Sequence, residues 1–124
     1  QDRAPRLMPT RVDEAAIRAH FGAGGEDCLM EFRAKALDRA ATERANDLLE
    51  RNWGEWRAEL SSKLAAPELL DAALTAAGAP RTPGALGWTD EIYRTAVAWA
   101  RRIRNRYTCL DLIDDSVGLA AWLG

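Results

Sequence analysis

The stretch EDCLMEFRAKALDRAATERANDLLERNWGEWRAELSSKL, residues 26–64, contains no proline and repeats its apolar positions regularly. The repeat runs at intervals of three and four residues through Leu37, Ala41, Ala45, Leu49, Trp53, Trp56, Leu60 and Leu64. This spacing predicts a long helix with one apolar stripe. Opposite charges four residues apart, such as Asp47 and Arg51, lie on its other faces. Gly54 interrupts the stripe, so we expect a kink or a division of the helix there.

Helix signals continue on both sides of this stretch, and no segment alternates in the manner of a strand. Residues 1–9 contain two prolines and no periodic pattern, so they predict an extended lead-in. Thr10 or Asp13 is expected to cap the first short helix. The further predicted helices cover residues 12–21, 67–77, 90–106 and 109–116. The sequence therefore predicts an all-α fold of five or six helices, with the long helix at 26–64 packed against shorter C-terminal ones.

Length and composition indicate one helical domain or domain fragment over 1–124, with a lead-in and short helix at 1–25 and a main body at 26–124. The net charge of −2 argues against a nucleic-acid binder, because phosphate neutralisation requires a positive excess. No apolar run is long enough to cross a membrane, and no export signal opens the chain. Cys28 and Cys109 are interpreted as reduced thiols, which favours a cytoplasmic location. Gln1 in place of an initiator Met indicates a chain that was processed or cut from a longer one.

The segment ARRIRNRYTCLDLIDD, residues 100–115, places four arginines before three aspartates. On a helical projection Arg104 falls within the apolar arc of its helix, so we expect it to be buried and paired. The expected partners are Asp111, Asp114 or backbone carbonyls of the turn that follows. Two alternatives remain open: Arg104 or Arg106 binds a ligand phosphate, or this surface contacts a partner domain.

The residues around Arg104 are interpreted as structural. Arg101 and Arg102 project away from the apolar arc, and cations in the last turns of a helix suit its dipole. Thr108 and Asp111 form a T-x-x-D pattern that predicts a capping box for the last helix. Tyr107 lies between these two groups. Arg104, Arg106, Tyr107, Thr108 and Asp111 are therefore the structural or interface candidates.

No residue is assigned to catalysis, cofactor binding or metal binding. His20 is the single histidine and is interpreted as a non-ligand, because a metal site needs three or four ligands. The phosphate-binding loop patterns GxGxxG and GxxxxGK[ST] do not occur, and one histidine supports no Ser-His-Asp or Cys-His set. The five tryptophans accompany leucines at helical spacing and are interpreted as core and interface residues.

The runs AAGAPRTPGALGW, residues 76–88, and EIYRTAVAWARRIRNRYTCLDLIDDSVGL, residues 91–119, resemble the C-terminal end of sn-glycerol-1-phosphate dehydrogenases. Those enzymes often carry AGAP-x-TP-x-x-(L/I)G, followed by a helix that ends in IR-(D/N)-RYT-x-LDL. Residues 78–113 match this pattern well. Residues 26–64 are similar in a looser way, and residues 1–22 only vaguely.

The resemblance implies a parent protein in the superfamily of iron-containing alcohol dehydrogenases and dehydroquinate synthase-like enzymes. Such enzymes join an N-terminal dinucleotide-binding domain to a C-terminal helical domain. They reduce dihydroxyacetone phosphate with NADH or NADPH, using a divalent metal such as zinc or nickel held by one Asp and two His. None of these ligands, and no glycine-rich cofactor loop, has a counterpart here, so no family site residue is carried over.

Two interpretations of function follow. In the first, the chain is part of the helical domain of such an oxidoreductase, inactive alone, with the dinucleotide-binding domain as its missing partner. In the second, it is a free-standing helical interaction or oligomerisation module. Self-association is also expected, because a surface that lost its covering domain exposes apolar groups. The helix at 12–21 and the stripe with Trp53 and Trp56 are the expected contributors.

Overall fold

A computed structural model describes residues 3–124, and throughout that range the regular structure is helical with no strand, which confirms the all-α prediction. The extended lead-in predicted for 1–9 begins outside the described residues, and residues 3–13 are non-helical. The α-helices are α1 (Glu14–Phe21), α2 (Gly25–Lys35), α3 (Arg39–Lys63), α4 (Pro67–Ala76), α5 (Asp90–Ala100), α6 (Cys109–Ser116) and α7 (Leu119–Leu123). Short 3₁₀ turns occupy Gly22–Gly24, Pro83–Leu86 and Arg101–Ile103.

The first two helices form a tight hairpin. Asp13, not Thr10, caps α1, because its side chain accepts a hydrogen bond of 3.0 Å from the Ala16 N–H. Gly22, at φ 54°, ends the helix in a conformation that favours glycine. A Cβ on Gly25 would lie 2.8 Å from the Arg18 Cα, so only glycine permits this close approach of α2 to α1.

The predicted long run at 26–64 is helical as far as Lys63 except for residues 36–38, which separate α2 from α3. Asp38 starts α3 by accepting a hydrogen bond of 2.7 Å from the Ala41 N–H. The Leu37 N–H donates to the Thr10 hydroxyl, and the Leu37 carbonyl accepts from the Thr10 N–H, both at 2.9 Å. These bonds satisfy backbone groups that the interruption exposes. The helix continues through Gly54, so the division lies at 36–38 and not at the glycine.

The hydrophobic core lies between α1, α2 and the end of α5. Its centre is Ile17, Leu29 and Phe32, all at most 1% exposed. Val12, Phe21, Cys28 and Trp99 pack against this centre. We call residues 3–53 and 94–124 the base.

The remaining residues, 54–93, form what we call the arm: the second half of α3, α4, the turn Pro83–Leu86 and the start of α5. All of its residues are exposed except Ala79 and Pro83, which are half-buried. Its exposed large apolar side chains are Trp56, Leu60, Leu64, Leu69, Leu70, Leu74, Leu86, Trp88, Ile92 and Tyr93. No helix within residues 3–124 combines the length and apolar character needed to cross a membrane.

The arm gives the chain an unusually large surface. The described structure exposes 9030 Å². A compact chain of 13.7 kDa exposes about 6,600 Å² by the usual scaling of surface with mass. The excess over that scaling is roughly 2,400 Å².

Candidate functional site

A buried ionic cluster in the base contains most of the polar residues that the sequence singled out. Its centre is Arg101, which is 2% exposed and begins the 3₁₀ turn after α5. The Arg101 guanidinium contacts three carboxylates: its Nε lies 3.1 Å from Asp111 Oδ1, its Nη2 lies 3.3 Å from Asp115 Oδ1, and its Nη1 pairs with Asp114. Nη1 and Nη2 donate hydrogen bonds to Asp114 and Asp115, whereas Nε faces Asp111 as an ion pair without a hydrogen bond.

Lys35, the last residue of α2, supplies the second buried cation of the cluster. Its Nζ lies 2.8 Å from Asp111 Oδ1 and donates to the carbonyl oxygens of Arg101, at 2.5 Å, and Arg106, at 3.1 Å. The three N–H donors of the ammonium group thus all have partners. Because a buried cation without partners is costly, these contacts account for a lysine at 8% exposure.

Asp111 connects the cations to the start of α6. The Thr108 N–H donates to Asp111 Oδ2 at 2.7 Å, and the Thr108 hydroxyl donates to the same oxygen at 2.9 Å. The capping box predicted from T-x-x-D is therefore confirmed. The same carboxylate, at 1% exposure, pairs with Lys35 and Arg101.

Asp115 ties the N-terminal segment to α6. Its Oδ2 accepts hydrogen bonds from the Thr10 hydroxyl, at 2.8 Å, and from the Tyr107 hydroxyl, at 2.9 Å. Its backbone carbonyl accepts from the Met8 N–H at 2.7 Å. Burial, together with the negative charge of Asp115, raises the pKa of Tyr107 above its ordinary value.

The prediction that Arg104 is buried is wrong. Arg104 is exposed, and Arg101 takes the place expected for it among the aspartates. The reason is local: α5 ends at Ala100, and Arg104 itself is extended, with φ −143° and ψ 153°. A projection at 100° per residue therefore does not apply beyond Ala100. The Arg106 side chain is also exposed, and only its carbonyl takes part in the cluster.

The sequence analysis did not identify Lys35 or Asp115. Lys35 follows Leu29 and Phe32 at intervals of three, which places it on the buried face of α2. This position was a usable signal, because a lysine on an apolar face requires acceptors. The role of Asp115 had no comparable signal, since its partner Thr10 is distant in sequence.

An aromatic stack adjoins the cluster. The His20 ring lies parallel to Trp99, with centroids 3.9 Å apart, and the Arg102 guanidinium lies 4.6 Å from the Trp99 ring. Burial and the neighbouring charge of Arg101 lower the pKa of Arg102. His20 is thus an exposed residue that packs on Trp99, and residues 3–124 contain no group of three or more His, Cys, Asp or Glu side chains that could hold a metal.

A groove opens beside the base, between the N-terminal segment and the C-terminal helices. It has a volume of about 780 Å³. Apolar residues of α3, α6 and α7 line it, together with Pro5; these are Trp53, Leu112, Ile113 and Trp122. The indole Nε1 of Trp53 is buried and has no hydrogen-bond partner within the described part of the chain.

The chemistry of the ionic cluster is structural. Its cations face carboxylates and carbonyls of the chain itself, and the contacts join the N-terminal segment, α2, the turn after α5, and α6. Such an arrangement fixes helices relative to one another. Arg104 and Arg106 remain as exposed cations beside it.

No family model matches this chain, and no curated protein or solved structure is significantly similar to it. The likeness to glycerol-1-phosphate dehydrogenases therefore rests on the sequence pattern at residues 78–113.

Proposed function

We propose that this chain is part of the C-terminal helical domain of an sn-glycerol-1-phosphate dehydrogenase-like, NAD(P)-dependent oxidoreductase, and that it is a packing element of that enzyme. The observation that carries the proposal is the uncovered apolar surface. Most large apolar side chains of the chain are exposed, and they concentrate in the arm. Exposed large apolar side chains concentrated in one part of a chain indicate an interface.

The resemblance supplies the identity of the partner in this proposal. The RYT-x-LDL pattern includes Tyr107, Thr108 and Asp111. All three contribute side-chain contacts to the ionic cluster. The pattern thus has a physical meaning in this chain: it holds the base of a helical domain together. That meaning supports membership of a helical domain without requiring any catalytic residue in it.

The catalytic groups of the proposed enzyme lie outside this chain. Hydride transfer requires a nicotinamide held against the substrate carbonyl, which in this family is the task of the dinucleotide-binding domain. The divalent metal, zinc or nickel, would be held by ligands without counterparts here. The proposal places the protein in the cytoplasm, with this chain forming a wall opposite the cofactor domain.

The test is the mass of the polypeptide in its source cell. We expect a cellular product with a mass well above 13.7 kDa. This product should oxidise NADH in the presence of dihydroxyacetone phosphate. The purified chain alone should give no NADH oxidation above background, no stoichiometric Zn²⁺ or Ni²⁺, and no tryptophan quenching by NADH. Turnover by the chain alone would contradict the assignment of catalysis to another domain.

A free-standing helical interaction or oligomerisation module is the second candidate. It is favoured by the base, which has its own apolar centre and an internally paired ionic cluster. A cellular product near 13.7 kDa would support this candidate over the first.

A further inference from the structure

Helix α4 is exposed along its whole length. It spans ten residues, Pro67–Ala76, and none of them is buried or half-buried. Leu69, Leu70 and Leu74 are 63%, 53% and 43% exposed. Isolated helices shorter than about 12–15 residues are marginal in water, and most helical stability comes from packing. An apolar helix of this length therefore requires a covering surface.

The flanking parts of the arm also expose large apolar side chains. Trp56 and Leu60 on α3 and Leu64 at its C-terminal cap recur every four residues and are all exposed. Ile92 and Tyr93 at the start of α5 are exposed as well. The arm thus presents apolar groups before, within and after α4.

The charge of α4 and its flanking turns is balanced, although the arm as a whole carries more anions than cations. Between Leu60 and Trp88 the chain carries two cations and two anions: Lys63, Arg81, Glu68 and Asp71. Arg81 pairs with Asp71 at 2.7 Å, and Lys63 pairs with Glu59 on α3. Two identical copies of this segment, which has no net charge, meet across a two-fold axis without repulsion, whereas the rest of the arm, with one cation and four anions, favours contact through α4 itself.

The exposed area indicates whether a linked domain or a second copy of the chain covers the arm. Interfaces between domains of one chain bury about 600–1,500 Å². The excess surface here is about 2,400 Å² relative to a compact chain, so a linked domain of ordinary size leaves much of it uncovered. Two copies that each hide this excess bury about 4,800 Å² in total, which is within the range of obligate homodimers.

We propose that the arm is a homodimer interface, in which α4 of one copy packs against α4 of a second copy across a two-fold axis. The small side chains Ala72, Ala73 and Ala76 beside the leucines permit close approach of two such helices. The proposal does not depend on the enzyme assignment, because dimerisation is measured without substrate or cofactor. Both proposals start from the uncovered apolar surface of the arm, but the cellular product tests the first and the mass of the purified chain tests the second.

Light scattering after size-exclusion chromatography tests the dimer. At tens of micromolar the chain should have a mass of about 27 kDa, twice the 13.7 kDa of one copy. Leu69→Glu should raise the dissociation constant at least about 100-fold, as expected for a central interface residue. Met30→Glu on α2 is the matched control, because Met30 is also 63% exposed but lies in the base. It should leave the dimer intact.

A loss of the dimer can be distinguished from a loss of folding in these variants. Neither Leu69 nor Met30 is buried, so both variants should retain the helical circular dichroism of the chain. A monomeric wild type, or equal effects of the two substitutions, would overturn the proposal. If Met30→Glu abolishes the dimer and Leu69→Glu does not, the interface lies in the base, and the proposal is overturned as well.

A disulfide experiment tests the position of α4 independently. In a chain with Cys28→Ala and Cys109→Ala, we introduce Ala73→Cys on α4 or Ala15→Cys on α1; both alanines are exposed. Mild oxidation should give an intermolecular disulfide at position 73 several-fold faster than at position 15. Equal rates, or no disulfide at position 73, would contradict α4 pairing across the axis.

Discussion

Arg101 is the residue on which the base depends most directly. Its guanidinium contacts Asp111, Asp114 and Asp115 in a site that is almost fully buried. Removal of one member leaves buried carboxylates with fewer partners, and such a loss costs several kcal/mol. The neighbouring Arg104 is exposed and has no comparable burial.

Arg101→Met should therefore lower the free energy of unfolding by about 3–5 kcal/mol. Arg104→Met should lower it by less than about 1 kcal/mol, as for exposed charged residues. Urea titrations of the two variants give the comparison directly. This expectation replaces the one drawn from the sequence, where Arg104 was predicted to be the buried residue. Equal destabilisation by the two substitutions would contradict the assignment of the buried position to Arg101.

Tyr107 makes the base sensitive to alkaline pH. Its pKa is raised from the ordinary value of 10.0, mainly by burial and then by Asp115. Because the folded state disfavours the phenolate, this contribution to stability is present below pH 10 and is lost as the pH rises through the folded-state pKa. Tyr107→Phe should flatten the fall in thermal midpoint between about pH 10 and 11, although it removes a hydrogen bond to Asp115 at lower pH. Parallel profiles for the two proteins would contradict this role.

The sequence identified some members of the ionic cluster and not others. Thr108 and Asp111 were predictable, because a capping box is a local pattern with fixed spacing. Arg101 was not, because the apolar face of α5 with Ile92, Ala96 and Ala100 is exposed, and the face that precedes Arg101 is turned inward instead. Tertiary contacts decide which face of α5 is covered, and no spacing records them.

At the scale of elements, exposed ion pairs join α1 to α2. Glu14 pairs with Arg33, Arg18 pairs with Glu26, and Glu14 also contacts Arg18. Hydrogen bonding to Arg33 lowers the pKa of Glu14, and hydrogen bonding to Arg18 lowers that of Glu26. All of these groups are at the surface, so each pair contributes little.

Acid should weaken this connection. Because the pKa values of Glu14 and Glu26 are lowered from 4.5, their contribution is present above pH 4.5 and is lost as the pH falls below it. Glu14→Gln should reduce the drop in thermal midpoint between about pH 5 and 3. Added salt at neutral pH should weaken the same pairs in the wild type. An unchanged acid response in Glu14→Gln would show that other carboxylates dominate it.

The division between α2 and α3 shows the limit of periodicity as a predictor. The apolar pattern continues across residues 36–38, so the sequence predicts one helix. Thr10 bonds to both backbone groups of Leu37, and that contact stabilises the interruption. A contact between residues so far apart in sequence leaves no trace in a local pattern. The existence and type of α1 to α6 were predictable, whereas this boundary, the end of α5 at Ala100 and the short helix α7 were not.

At the scale of the whole molecule, the apolar pattern identified which residues require cover but not what covers them. Trp53 is half-buried and lines the groove of the base, whereas Trp56, one turn later, is exposed on the arm. Both belong to the same predicted stripe. Burial of such a stripe depends on where neighbouring helices lie, and α3 is long enough to extend beyond the base.

The exposed arm should also appear in the denaturant dependence of unfolding. An unfolded chain of this mass exposes about 19,900 Å². Unfolding of the isolated copy therefore adds about 10,800 Å² of exposed surface. Unfolding of a copy as compact as the usual scaling predicts adds about 13,300 Å². The urea m-value follows this difference. The monomeric Leu69→Glu variant should therefore show an m-value of about four fifths of the wild-type value per chain, because the wild-type dimer hides the arm. Urea titrations at equal protein concentration provide the ratio, with Met30→Glu expected to match the wild type. An m-value for Leu69→Glu equal to that of the wild type would mean that the arm folds back onto the base of its own chain when no second copy covers it.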